Sequence, residues 1–278
     1  MTGEQRQNLK NYTGEDQVIS SQEMKISMDN QPDAVIRVNS LIPLLDRYTG
    51  GFWSGELITI SGPTKNGKTL LAQTLTVNFS KQGTPSLWFT YEVPARQFLS
   101  QFPDLPSLYM PKKLKAHALD WLEDRITESF LKYHTRVIFI DHLHYLVDMA
   151  RIKSPSIEIG QVVRRLKGIA VDKELVIFLL CHTTKGRADG SVSYENIRDS
   201  SFVSQESDSV LMVQRKPDFG ENCARLRVEF HRRTGAMEKT IDMVKEGGLL
   251  YETDKPFESE GDGDLSRPVS RGNGKRYY

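Results

Sequence analysis

The stretch from Leu57 to Leu75 limits what this chain can become more than any other. Leu57-Ile58-Thr59-Ile60 is a short apolar run. Ser61-Gly62-Pro63-Thr64-Lys65-Asn66-Gly67-Lys68-Thr69 follows it, and Leu70-Leu71-Ala72-Gln73-Thr74-Leu75 then has the composition of a helix. The pattern is G-x-x-x-x-G-K-[ST] in the strand, loop and helix setting that gives it meaning. Gly62 and Gly67 let the backbone curl so that successive N–H groups turn inward, and a helix starting near Lys68 adds the positive end of its dipole. Gly62, Pro63, Thr64, Lys65, Asn66, Gly67, Lys68 and Thr69 therefore form the expected polyphosphate cradle. Lys68 would reach the β- and γ-phosphates as a mobile point charge, and the Thr69 hydroxyl would take one position on Mg²⁺. ATP and Mg²⁺ are the expected ligands. The competing reading is a glycine-rich turn that matches by chance, and both flanks argue against it.

Bulk properties narrow the partners. A chain of 278 residues with 38% hydrophobic content can bury one full core, so one large domain with short appendages is expected. The net charge is only +1, so any nucleic-acid contact must come from a local basic patch. Cys181 and Cys223 have neither metal-ligand nor redox spacing and read as structural thiols of a reducing compartment. No apolar run reaches membrane-span length, and the first residues lack a signal segment. A cytoplasmic location is expected, or the host cytoplasm for a phage-encoded chain.

Three regions separate by composition: a polar arm over 1–35, a core over 36–254, and a Gly-, Ser- and charge-rich tail over 255–278 that reads as disordered. The arm is expected to be a flexible linker that becomes helical only against a partner. Within the core, apolar runs at Leu57–Ile60, Ser86–Phe89, Val137–Ile140, Leu175–Leu180 and Val210–Val213 are mostly continuous, as strands buried on both faces should be. The clearest helix carries Ile159, Val162, Val163, Leu166, Ile169 and Ala170 on one stripe, with Arg164, Arg165 and Lys167 off it. Strands alternating with helices predict an α/β fold with a mainly parallel sheet and ligands at the carboxyl ends of its strands. Ala224, Leu226, Val228 and Phe230 alternate, and Gly247-Gly248 precedes another apolar run, so an antiparallel hairpin edge is expected.

The strand ends supply the remaining candidates. Val137–Ile140 runs into Asp141, placed to hold Mg²⁺ directly or through water, or else to cap the turn that follows. Glu92 follows Trp88-Phe89-Thr90-Tyr91; it is either the general base that activates the attacking water or a solvated loop carboxylate. His182 follows the fourth run and reads as a γ-phosphate sensor or as a satisfied core histidine.

Several segments resemble one family in its own order. Leu45-Asp46-Arg47-Tyr48-Thr49-Gly50-Gly51-Phe52 with Ser54-Gly55-Glu56-Leu57, the phosphate loop, Phe89-Thr90-Tyr91-Glu92-Val93-Pro94, Ile140-Asp141-His142-Leu143-His144-Tyr145-Leu146, and Glu158-Ile159-Gly160 with Arg165-Leu166-Lys167 are similar to the DnaB-type ring helicases. So are Ile197-Arg198-Asp199-Ser200-Ser201, Gln205-Glu206-Ser207-Asp208-Ser209-Val210 and His231-Arg232-Arg233-Thr234-Gly235. The resemblance covers roughly residues 38–252 and is specific to the family's carboxyl-terminal RecA-like motor domain.

What the resemblance implies is placed residue by residue. Lys68 and Thr69 match the Walker A pair, Asp141 the Walker B aspartate, and Glu92 the catalytic glutamate. His182 falls where some phage ring helicases carry a histidine sensor. Arg233 matches the arginine finger, which acts on a neighbouring subunit's nucleotide, and His231 stands where the family has lysine. The loops carrying Arg151 with Lys153, and Lys185 with Arg187, match those that hold single-stranded DNA. Neither holds an aromatic platform, so such binding should be salt-dependent and indifferent to sequence. A homo-oligomeric ring, expected to be a hexamer, is implied, with a separate primase or helicase loader as partner, because the collar and primase domains of relatives find no counterpart in this sequence. Two rivals remain: a RecA-, RadA- or KaiC-like ATPase of recombination or regulation, and a non-catalytic DNA-binding or loader subunit. Intact Lys68, Thr69, Asp141 and Glu92 argue against the second.

Overall fold

The computed structural model describes residues 1–14, 16–30, 36–147, 155–182, 201–254 and 257. Two short helices open the chain, α1 (Gly3–Lys10) and α2 (Ser21–Asp29), and neither buries a residue. Each begins with a reciprocal capping box, Thr2 with Gln5 and Ser20 with Glu23, so two of the orphan N–H groups of each first turn are satisfied locally. These helices therefore form without a partner, contrary to the expectation for this arm. Next comes a small antiparallel pair, β1 (Arg37–Val38) with β2 (Phe52–Trp53), joined through helix α3 (Pro43–Thr49). Pro43 opens α3 and Gly50, at φ 68°, ends it in the left-handed conformation that glycine adopts without penalty.

All five predicted apolar runs are strands of the central sheet: β3 (Leu57–Ser61), β4 (Ser86–Thr90), β6 (Val137–Asp141), β7 (Val176–Leu180) and β8 (Ser209–Arg215). With the short β5 (Leu108–Tyr109) they run parallel. The nine strands lie in the order β11-β10-β9-β8-β3-β7-β6-β4-β5. The last three, β9 (Cys223–His231), β10 (Ala236–Glu246) and β11 (Leu249–Glu252), form the expected antiparallel edge. Helices α4 (Lys68–Lys81), α5 (Ala95–Leu99), α6 (Leu119–Tyr133), α7 (Pro155–Asp172) and α8 (Ser201–Glu206) complete the described elements.

Because side chains alternate along a strand, each apolar run feeds two cores. Phe139 and Phe178 enter one core, and Ile138, Ile140, Ile177 and Leu179 enter the other. In the first, Trp88 stacks on Phe139 at 4.6 Å and Phe139 on Phe178 at 4.7 Å, with Phe52 edge-on to Phe178 at 4.9 Å. Truncating one such ring costs about 3–5 kcal/mol. The second core takes the whole predicted stripe of α7, and Gly160 lets α8 approach: a Cβ there would lie 2.8 Å from the Phe202 ring. Arg164 and Arg165 do lie off the stripe, in surface ion pairs. Lys167 turns inward, where it donates to Asp208 and to the carbonyl of Gly55, 2.7 Å each. Asp208 in turn accepts from the amide of Leu57 at 2.8 Å, so this network pins the start of β3, the strand that leads into the glycine loop.

Candidate active site at the carboxyl edge of the parallel strands

Strand register decides which residues meet. Thr90 pairs with Asp141, Asp141 with Leu180, and Leu180 with Ile60, so four strand ends finish at one level. The amide of Cys181 donates to Ile60 and that of Tyr91 to Asp141, carrying the alignment into the loops that follow. Glu92 and His182 each stand two residues beyond their strand.

The glycine loop crosses this edge between β3 and α4. Gly62 has φ 147°, and a Cβ on it would sit 2.2 Å from the Val213 carbonyl oxygen of the adjacent strand β8, which leaves room only for glycine. Gly67, at φ 98°, directly precedes α4, whose first turn contains Lys68 and Thr69. Asn66 braces the loop by accepting from the Arg215 amide at 2.9 Å and donating to the Thr64 carbonyl at 3.0 Å. Lys68 is buried and donates to the carbonyls of Gly62 and Pro63, 3.0 Å each. Burial holds its pKa below the usual lysine value, an effect that Glu92 and Asp141 oppose. Thr69 Oγ1 donates to Asp141 Oδ2 at 3.0 Å. Asp141 is 2% exposed, and burial lifts its carboxyl to about 6 despite that hydrogen bond. A buried carboxylate joined to a hydroxyl at the mouth of a phosphate loop is a donor set of oxygens, the chemistry that suits Mg²⁺.

Facing this pair, Glu92 Oε2 lies 3.5 Å from His142 Nδ1 and 3.7 Å from His182 Nε2. Burial drives the His142 ring well below the usual histidine value, to about 3, with His182 adding to the effect. Sequence reading alone gives His142 no role, although it directly follows Asp141, because its position beside Glu92 depends on a second strand. On the outer flank of the loop, a cleft of about 260 Å³ is bordered by Lys65, Asn66, Leu70, Arg215, Cys223 and Leu250. Arg215 and Cys223 carry no local signal of this cleft, which exists only where β8 and β9 pass the loop.

Arg233 does not join these residues. It sits in the tight turn between β9 and β10, at the amino-terminal edge of β3 and β8, because His231 pairs with Ser209 and Ser209 with Ile58. A five-residue strand separates the two edges by about 13–17 Å. Arg233 donates to Glu56 at 2.8 Å and to the carbonyls of Thr49 and Gly51 at 2.8 Å each, with its guanidinium 5.0 Å over the Trp53 ring. Arg232 shares this turn rather than a strand, and it donates to the Gln205 carbonyl. His231 is 1% exposed; burial first and Arg233 second hold its pKa near 4, so it is neutral and presents no second cation. Arg151, Lys153, Lys185 and Arg187 lie outside the described residues.

The comparisons agree with this geometry. Residues 111–246 match the family model described as the DnaB-like helicase C terminal domain. "Replicative DNA helicase DnaB" of Pasteurella multocida is 23% identical over 229 residues, which is 68% of this chain and 49% of that protein. The protein of the same name from Helicobacter pylori strain J99 is 22% identical over 273 residues, 84% of this chain and 56% of that protein. The chain thus spans about half the length of the curated relatives it matches. Two solved structures share the fold at TM-score 0.70 and 18% identity over 84% of this chain. One is "The Structure Of A DnaB-Like Replicative Helicase And Its Interactions With Primase", 68% covered, and the other is an ATPase domain solved by itself, 99% covered. A nine-stranded sheet of this order, a glycine loop facing strand-end carboxylates, and a matched stretch of more than a hundred residues together mean that the chain carries a DnaB-type, RecA-like helicase domain.

Proposed function

We propose that this chain is an ATP-hydrolysing motor that assembles into a ring, expected to be a hexamer, and moves on single-stranded DNA to separate duplex during replication. The observation that carries the reading is the split of its candidate residues between two opposite edges of one sheet. Gly62 to Thr69 would cradle the triphosphate, with Lys68 leaving its contacts on Gly62 and Pro63 for the β- and γ-phosphates. The cleft bordered by Arg215 and Leu70 would take the base and ribose. Thr69 and Asp141 would hold Mg²⁺, which neutralises charge on the phosphate oxygens when bound. Glu92 would accept the proton of the attacking water, and His182, within 3.7 Å of Glu92, would sense the γ-phosphate.

Arg233 is too far from its own phosphate loop to complete that site. Its edge of the sheet is free to face a neighbouring chain, where a planar, permanent charge would stabilise the transition state in trans. To do so it must exchange Glu56 and two carbonyls for a phosphate. Hydrolysis would then depend on assembly. The segments with Arg151 and Lys153, and with Lys185 and Arg187, would contact the DNA backbone, and a separate primase or loader is the expected protein partner.

The deciding experiment is strand displacement from a forked duplex with Mg-ATP, with oligomeric state measured in parallel. We expect DNA-stimulated hydrolysis and displacement from the assembled form alone. Failure of both in a confirmed oligomer refutes the motor reading and favours a DNA-binding or loader role.

A further inference from the structure

We propose that Glu92, His142 and His182 form a second metal site, distinct from the oxygen pair Thr69 and Asp141, for a divalent transition-metal ion of the zinc class. One ligand atom from each of the three side chains lies within 4.8 Å of the other two. Two of these separations are 3.5 and 3.7 Å. A tetrahedral zinc ion with bonds of about 2.0–2.1 Å holds its ligand atoms about 3.3–3.4 Å apart, so two edges of the tetrahedron are nearly formed and the third needs only a small rotation of a side chain.

The donor set selects the ion. Two imidazoles and one carboxylate suit zinc and its transition-metal neighbours, whereas Mg²⁺ favours oxygen ligands and keeps its waters. His142 Nδ1 is buried and makes no hydrogen bond among the described residues, so a metal would satisfy an atom that the fold leaves with only the long Glu92 contact. The Glu92 side chain is 40% exposed, which gives the ion a path from solvent and leaves its fourth position for water. The His142 and His182 rings, 4.5 Å apart and near perpendicular at 76°, approach from two different strands, so the site exists only in the folded chain.

Occupancy has a consequence that rests on the proposed role of Glu92. The ion takes the carboxylate oxygen that would accept the water's proton, so zinc should block hydrolysis while leaving the phosphate loop open to nucleotide.

The test is titration of the full chain with Co²⁺ under excess Mg²⁺, reading the visible absorption of tetrahedral cobalt, followed by displacement with Zn²⁺. We expect stoichiometric binding that weakens by more than about tenfold in both His142→Asn and Glu92→Gln, the lower end of what loss of even an outer-shell partner costs. Circular dichroism and retained ADP binding confirm that each variant is folded. Absence of the tetrahedral spectrum, or binding untouched by both substitutions, overturns the site. Zinc that binds here without slowing hydrolysis leaves the site standing and removes Glu92 as the base, so the two readings fail separately.

Discussion

The carboxyl edge of the parallel strands and the turn between β9 and β10 use the same kinds of side chain in opposite ways. At the carboxyl edge, Lys68, Asp141 and Thr69 are buried or half-buried around a loop whose carbonyls and hydroxyls satisfy them only provisionally: Lys68 rests on the loop's own oxygens, and Asp141 on a single hydroxyl. At the turn, Arg233 is fully engaged, with a carboxylate, two carbonyls and an indole face. The first arrangement is ready to receive a polyanion, whereas the arginine must first be released. Assembly would supply that release, because a neighbour's phosphate, with more charge and more acceptor oxygens, competes for the guanidinium better than one carboxylate does.

The largest effect should come from breaking the turn's half of this pairing. Arg233→Ala should lower steady-state hydrolysis by the assembled protein about 10³–10⁵-fold, the range for lost arginine fingers. Mixing it with inactive Lys68→Ala chains should restore turnover, since each variant supplies what the other lacks. Restoration that ignores oligomer formation, or none at all, would sink the trans role. Glu92→Gln attacks the other half: nucleotide binding should persist while turnover falls about 10²–10⁴-fold, and a fully active variant removes Glu92 as base.

Smaller effects sharpen the structural side. Gly62→Ala forces a methyl onto the Val213 carbonyl at a left-handed φ, so chemical denaturation should report a loss of about 1–3 kcal/mol along with weakened nucleotide binding. The smallest effect concerns pH. His231 titrates near 4 when folded and near its ordinary 6.5 when unfolded, so between those values the unfolded chain takes up a proton that the folded chain refuses. Stability should therefore fall as pH drops from about 6.5 toward 4, and His231→Gln should flatten that slope by about 1–3 kcal/mol across the window. Melting curves at several pH values would measure it.

Particular elements show why some features can be read from the sequence and others cannot. The five strands are legible because a strand covered on both faces needs an unbroken apolar run, and the α7 stripe because burial on one helical face imposes its own period. The phosphate loop is legible because its function lies in local backbone geometry. His142 beside Glu92, Lys167 on Asp208, and Glu56 under Arg233 are not, since each contact joins residues far apart in the chain. The helical arm departs from expectation because its reciprocal caps, which are local, outweigh its lack of apolar surface.

By itself, then, the sequence determined the parallel α/β class, the phosphate cradle and the strand-end carboxylates, since periodicity and short-range backbone geometry are properties of neighbouring residues. Only the tertiary structure decided that Glu92 meets two histidines while Arg233 lies across the sheet from its own phosphate loop. Strand order and register fix those distances, and they follow from how the two cores pack around the sheet.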